Sequence, residues 1–134
     1  MRYLLDTNVL IDGIPPLPHG SEVAISAVTL SELHYGVLCA RDDFERGRRL
    51  QRLEAVEAQF SPVAIDATVA RIHGQMTAAV AAIGRKPCPR MMNLLIAATA
   101  ASVDAVLLTR NVDDFVGLDD FVKVVDPAEA GGAR

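Results

Sequence analysis

Short apolar runs alternate along this chain with longer segments whose apolar residues recur every three or four positions. "RYLL" (residues 2–5), "EVAIS" (22–26), "PVAID" (62–66), "AVLLT" (105–109) and "FVKVVD" (121–126) are short enough for buried strands. From Thr29 to about Ala40, Leu30, Leu33, Val37 and Leu38 fall at helical spacing. "DDFERGRRLQRLEAVEAQF" (42–60) predicts a helix with Phe44, Leu50, Leu53 and Val56 facing inward. "ATVARIHGQMTAAVAAIG" predicts another, stopped by Gly84. "MMNLLIAATAASV" (91–103) is so apolar that it must be buried on nearly every side. Between these lie the breaker "GIPPLPHG" (13–20) and the loop "RKPCPR" (85–90). The tail 127–134, "PAEAGGAR", is expected to fray.

Apolar strands alternating with helices mean a parallel sheet covered on both faces, because crossover connections place helices there. The expected fold is α/β, a three-layer α/β/α sandwich with a central parallel sheet, formed by residues 1–134 as one domain. In such folds ligands sit beyond the carboxyl ends of the strands.

Composition changes this picture little. Half the residues are apolar, which excludes a disordered chain, and no apolar run reaches the roughly 18 residues of a membrane span. No signal-peptide pattern opens the sequence, so the cytoplasm is the expected location and no membrane partner is expected. Cys39 and Cys88 are far apart and in no metal-ligand spacing; they read as reduced thiols.

Charge is more informative in its distribution than in its sum. The net charge of −4 gives no support to a nucleic-acid binder. Yet no acid falls between Asp66 and Asp104, while Arg71, Arg85, Lys86 and Arg90 do. Arg46, Arg48, Arg49 and Arg52 form a second basic group at helical spacing. Such clusters attract a polyanion locally, although a solvated face shared with Glu45, Glu54 and Glu57 is the plainer reading of the second.

The candidate chemistry lies at comparable places after the strands. Asp6 ends the first strand and is followed by Thr7 and Asn8. Glu32 lies early in the helix after the second strand, and Asn93 early in the very apolar helix. Thr109, Asn111, Asp113 and Asp114 follow the fourth strand. Each has a local alternative. Asp6 would serve as a helix N-cap, and "TLSE" (29–32) matches a capping box with Glu32 reaching back to Thr29. Asn111 and Asp113 suit a turn. All at one rim of one sheet, they favour a site. Carboxylate and amide oxygens are hard ligands suited to Mg²⁺ or Mn²⁺, and no histidine–cysteine cluster points to zinc. A bound cation would also be the partner that a buried Asp6 requires. Such an ion polarises a phosphodiester and lowers the pKa of water. Phosphate-loop, dinucleotide-binding and nucleophile-elbow motifs are missing. A phosphoacceptor domain would need a pair of acids after the first strand, which Asp6–Thr7 does not supply. Among the scattered histidines, His34 lies with Tyr35 close beyond Glu32, and a structural role is expected for His73.

"LLDTNVLID", "AISAVTLSELHYGV", "NLLIAATA" and "LLTRNVDDF" stand in the order and spacing of the PIN domain, and the chain resembles VapC-type toxins of bacterial type II toxin–antitoxin systems over nearly its whole length. The resemblance implies an Mg²⁺- or Mn²⁺-dependent ribonuclease that cuts RNA, commonly tRNA or rRNA. It implies a homodimer and a small cognate antitoxin. It assigns the first family acid to Asp6, with Thr7 and Asn8 in the same motif, and the second to Glu32. The third family acid is replaced here by Asn93, and the fourth position holds Asn111, with Asp114 three residues on. The expected catalytic and metal-binding set is therefore Asp6, Glu32, Asn93 and Asp114, supported by Thr7, Asn8, Thr109, Asn111 and Asp113.

An amide in place of a carboxylate keeps one oxygen but loses a charge. At an effective dielectric near 20, that charge against a +2 ion at ~4 Å is worth at most several kcal/mol. Three accounts of Asn93 stay open: a natural variant with Asp113 or Asp114 supplying the charge, an engineered substitution that tames a toxic nuclease, or a natural low-activity module that still binds RNA or antitoxin.

Overall fold

The computed structural model describes residues 1–130 of the 134. The chain begins with strand β1 (Arg2–Leu5), helix α1 (Thr7–Asp12), strand β2 (Glu22–Ile25) and helix α2 (Ala27–Leu38). Helices α3 (Asp43–Gln59), α4 (Ala67–Ala82) and α5 (Met91–Ser102) follow, then strand β3 (Val106–Leu108), strand β4 (Val124–Val125) and the single turn α6 (Pro127–Ala130). All strand pairs are parallel, in the order β2-β1-β3-β4.

Alternation along β1 shows why the sheet needs two helical layers. Successive side chains of a strand point to opposite faces. Leu4 joins Leu107, Phe115, Leu118 and the apolar sides of α4 and α5. Tyr3 and Leu5 point the other way, to Ile25, Leu108, Val9 of α1, Leu33 of α2 and Leu53 and Val56 of α3. The expected three layers are thus present. From Leu94 to Ala100 helix α5 is buried except for part of Leu95, and its alanines bring α4 close.

Four local expectations are corrected. "PVAID" is no strand: only Val63 pairs, through its N–H to Ile25 and its carbonyl to Ala27. Pro62 has no N–H to extend the ladder, and Asp66 already caps α4 by accepting from Val69 N at 3.0 Å. The last strand shrinks to Val124–Val125 because Phe121 and Val122 both turn back to the Leu118 carbonyl. Helix α2 starts two residues before Thr29, capped by Ser26, whose Oγ accepts from Val28 N at 3.0 Å. Phe44 and Leu50 face outward, 76% and 44% exposed, while Leu53 and Val56 are inside.

Of the tail expected to fray, Pro127–Ala130 form a helical turn with both ends buried, and Asp126 caps it by accepting from Ala128 N. Residues 131–134 lie outside the described residues. Among the described residues no helix is long and apolar enough to cross a membrane.

Replacing Leu107, fully buried in the central strand, with alanine is expected to lower unfolding stability by about 2–5 kcal/mol, whereas Phe44→Ala changes it by no more than about 0.5 kcal/mol. Urea unfolding of the two variants checks both; equal losses would contradict this assignment of inside and outside.

Candidate functional site

Asp6 is the first residue beyond β1, and its backbone N–H still donates to Leu108 O in β3 at 2.9 Å. The parallel ladder therefore continues up to the residue that carries the acid. Its side chain is only 6% exposed, yet it is well satisfied. Oδ1 accepts from Thr7 N at 2.8 Å, and Oδ2 accepts from the Thr109 hydroxyl at 2.7 Å and from Asn8 Nδ2 at 3.3 Å. The N-cap reading of Asp6 thus holds, but it is not the whole of the role, because Thr109 is 103 residues away.

Thr7 connects the second acid. Its hydroxyl donates to Glu32 Oε1 at 2.5 Å and lies 3.1 Å from the Thr29 hydroxyl. Since one threonine binds both carboxylates, their bonded oxygens lie within roughly 8 Å of each other. Glu32 is not the far half of a capping box: Ser26 is the cap, and Thr29 and Glu32 are both inside α2. Asn8 fixes the neighbouring loop, its Oδ1 accepting from Arg110 N at 3.2 Å and its Nδ2 reaching Thr109 Oγ1 at 3.3 Å. Thr109 Oγ1 also accepts from Asn111 N at 3.1 Å, which shapes the turn after β3.

Burial pushes the Asp6 carboxyl above the usual aspartate range; the bonds from Thr109, Thr7 and Asn8 pull it back, and the charge of Asp114 pushes it up again. The net upward shift means that desolvation and like charge outweigh three hydrogen bonds. Among the described residues no lysine, arginine or histidine forms an ion pair with Asp6, Glu32 or Asp114.

Asp114 is half-buried on a 3-10 turn (Val112–Phe115) anchored by buried Phe115, and its N–H donates to Asn111 O at 3.0 Å. Asp113 and the Asn111 side chain are exposed. Both residues line, with Asp114, Arg110, Asp126 and Glu129, an open depression of about 560 Å³. Asn93 is half-buried in the first turn of α5, a helix that packs on α2 and on the turn holding Asp114. No hydrogen bond joins it to the acids among the described residues. His34 points to Glu57 of α3 at 3.3 Å, and Tyr35 is exposed, so neither belongs to this group.

These donors suit a divalent cation in part. Among the described residues no three His, Cys, Asp or Glu side chains gather as a metal cage. Asn93 and Asn111 are amides and add no charge to the two acids that Thr7 joins. What remains is one buried, charge-uncompensated carboxylate with a second nearby. That fits an ion which keeps most of its water and takes one or two carboxylates, as magnesium does. It does not fit an ion stripped of water by four protein ligands. Thr29 and Arg110 were missed as site neighbours in the sequence, and the spacing T-x-x-E pointed to a local contact in place of the longer-range one.

A family model described as the PIN domain matches residues 3–120. The chain belongs to the PIN-domain family. Ribonuclease VapC5 of Mycobacterium tuberculosis is 38% identical over 102 residues, which cover 76% of this chain and 73% of that protein. The crystal structure of VapBC-5, from the VapBC family of toxin–antitoxin systems in Mycobacterium tuberculosis, has a TM-score of 0.75 at 35% identity, covering 93% of this chain and 96% of that one. FitAcB from Neisseria gonorrhoeae superposes with a TM-score of 0.77 at 27% identity, covering 94% of this chain and 98% of that one. Within the PIN family, then, the likeness is to VapC-type ribonucleases, and the four-stranded parallel sheet is the fold that likeness requires.

An acid raised in the fold stabilises it only while protonated. The contribution is full below the ordinary aspartate value of 3.8 and is lost as pH rises through the raised value. In chelator, the melting temperature of the parent chain is therefore expected to fall relative to that of Asp6→Asn as pH rises from 3.8 toward neutrality, and saturating Mn²⁺ is expected to restore it in the parent alone. Parallel pH profiles for the two chains, unaffected by Mn²⁺, would contradict the assignment.

Proposed function

We infer that this PIN-domain protein is the toxin of a toxin–antitoxin pair, a metal-dependent endoribonuclease that hydrolyses RNA phosphodiester bonds. The observation that carries the reading is the pair of carboxylates, Asp6 and Glu32, hydrogen-bonded to one residue, Thr7, at the carboxyl rim of the sheet. Identity to a VapC ribonuclease supports the reaction class. A Mg²⁺ or Mn²⁺ ion bound there would supply Lewis-acid stabilisation of the phosphate and a more acidic water.

The chain's own residues divide the remaining work. Asp6, held by Thr109, Thr7 and Asn8, presents a preset carboxylate at the rim. Glu32 adds the second charge, positioned by Thr7. Asn93 contributes an amide oxygen from the start of α5. Asp114 acts at longer range, as an electrostatic neighbour of Asp6 and an acceptor for water. Thr109, Asn111 and Asp113 shape and border the turn that carries it.

The RNA target is proposed to be tRNA or rRNA, from the family resemblance, and the location the cytoplasm. A small cognate antitoxin is proposed because a similar solved chain comes from the VapBC family of toxin–antitoxin systems. A homodimer is supported by exposed apolar residues around α4 and α5: Ile83, Met91, Met92 and Val116. Ile83 packs so close to Gly117 that a Cβ there would lie 2.7 Å from its Cδ1.

Asn93 favours a second reading, a catalytically weakened PIN module that binds RNA or antitoxin without efficient cleavage. Cleavage assays with Mn²⁺ separate the two. Under the first reading the parent chain cuts RNA, Asp6→Ala slows it by about a hundredfold or more, and Asn93→Asp speeds it by tightening the ion. A parent chain that binds no Mn²⁺ by calorimetry while Asn93→Asp does would establish the second. Equal cleavage by the parent and Asp6→Ala would remove the assigned role of Asp6.

A further inference from the structure

The carboxylate site leaves one large feature unused, the groove between α2 and α3. It is an open cleft of about 610 Å³. Ile11 at the end of α1 and Leu33 and Gly36 of α2 form one wall; Phe44, Arg48 and Arg52 of α3 stand on the other. Residues 44, 48 and 52 are four apart, so they share one helix face. The Arg48 guanidinium lies 6.0 Å from the centroid of the exposed Phe44 ring.

The arginines of this region fall into two kinds. Arg41 and Arg49 are paired with Glu45, and Arg46 with Asp43. Neither Arg48 nor Arg52 has a carboxylate partner among the described residues. The groove carries Arg41, Arg48, Arg49 and Arg52 against Asp42 and Glu45, an excess of two positive charges on a chain whose net charge is −4. Two arginines four residues apart repel each other, and an outward phenylalanine adds nothing to the core. Beyond the contact between the Arg48 guanidinium and the Phe44 ring, neither feature serves the folded chain alone. Together they match a ligand with flat faces and regularly spaced negative charges.

We propose that this groove is a subsite for single-stranded RNA, in which Phe44 stacks on a base flanking the cleaved bond while Arg48 and Arg52 meet phosphates. The choice of RNA rests on the ribonuclease reading above. Position supports it: Glu32 and Gly36 are one turn apart on α2, about 6 Å along its axis, so a strand whose phosphate lies at Glu32 has its neighbouring nucleotide within reach of the groove. Stacking on an aromatic face beside arginine is how proteins hold single strands without reading sequence. An amphipathic peptide helix would use the apolar wall of Ile11 and Leu33, whereas the opposite wall of Phe44, Arg48 and Arg52 offers a stacking face beside two cations.

The test is fluorescence anisotropy of a labelled RNA of randomised sequence, about 12 nucleotides long, with the full chain in EDTA so that nothing is cut. Phe44→Ala is expected to weaken binding about 5- to 150-fold. Arg48→Gln with Arg52→Gln is expected to weaken it and to lower the slope of log K against log salt by about 1.4. Melting curves matching the parent's show that the variants are folded, and Phe44→Ala, at a position 76% exposed, serves alone if the double variant is not. Weakened binding by variants of a parent chain that cuts no RNA upholds the groove while refuting the ribonuclease reading. Cleavage by the parent with unchanged binding in the variants refutes the groove alone. A parent that does not bind the RNA, or variants that lose binding to polyglutamate and keep binding to RNA, overturns the proposal.

Discussion

A carboxylate buried at the end of a central parallel strand organises this molecule. Asp6 sits where the β1–β3 ladder ends, and its side chain draws three donors to itself from both sides of that ladder: Thr7 and Asn8 from the start of α1, Thr109 from the end of β3. Bonds to a charged acceptor are worth about 1.5–3 kcal/mol each, and removing a carboxylate from water costs several. The upward shift of the Asp6 proton affinity shows which side wins when no cation is present. The fold therefore holds, at one rim, a negative charge that it orients well and compensates incompletely. That condition is what a binding site for a cation, and through it for a phosphate, requires.

The rest of the structure follows from keeping that rim in place. Two apolar layers clamp the sheet from opposite faces, so β1 cannot slide without exposing Tyr3 and Leu5 or Leu4. Helix α2, capped by Ser26, carries Glu32 to Thr7. The Ser26 and Thr99 hydroxyls, 3.3 Å apart, tie the same cap to the middle of α5, the helix that bears Asn93. Each site residue is thus placed by an element whose own position is set by burial.

Much of this was legible in the chain. Strands β1, β2 and β3 and the buried helix α5 showed as apolar runs, and the halt of the first run at Asp6 fell where the fold buries a hydrogen-bonded carboxylate. Where the reading failed, the deciding contacts were long-range. "PVAID" has a strand's composition, but Pro62 and the Asp66 cap leave room for one paired residue. Phe44 and Leu50 fit the same helical period as Leu53 and Val56, and periodicity alone does not say which apolar pair meets the sheet. "TLSE" matched a capping box because Thr29 and Glu32 are three apart, whereas Glu32 takes its hydrogen bond from Thr7, 25 residues away. The amides Asn93 and Asn111 were visible at once as uncharged members of the expected set, and among the described residues no three acids gather.

Crystals of the chain equilibrated with Mn²⁺ and measured at the manganese absorption edge would locate the ion directly. The account predicts an anomalous peak bonded to an Asp6 carboxylate oxygen at roughly 2.0–2.3 Å, with Glu32 beside it and several waters completing the shell. At saturating Mn²⁺, a peak confined to the outer depression of Asp113, Asp126 and Glu129, or no peak near Asp6, would contradict it.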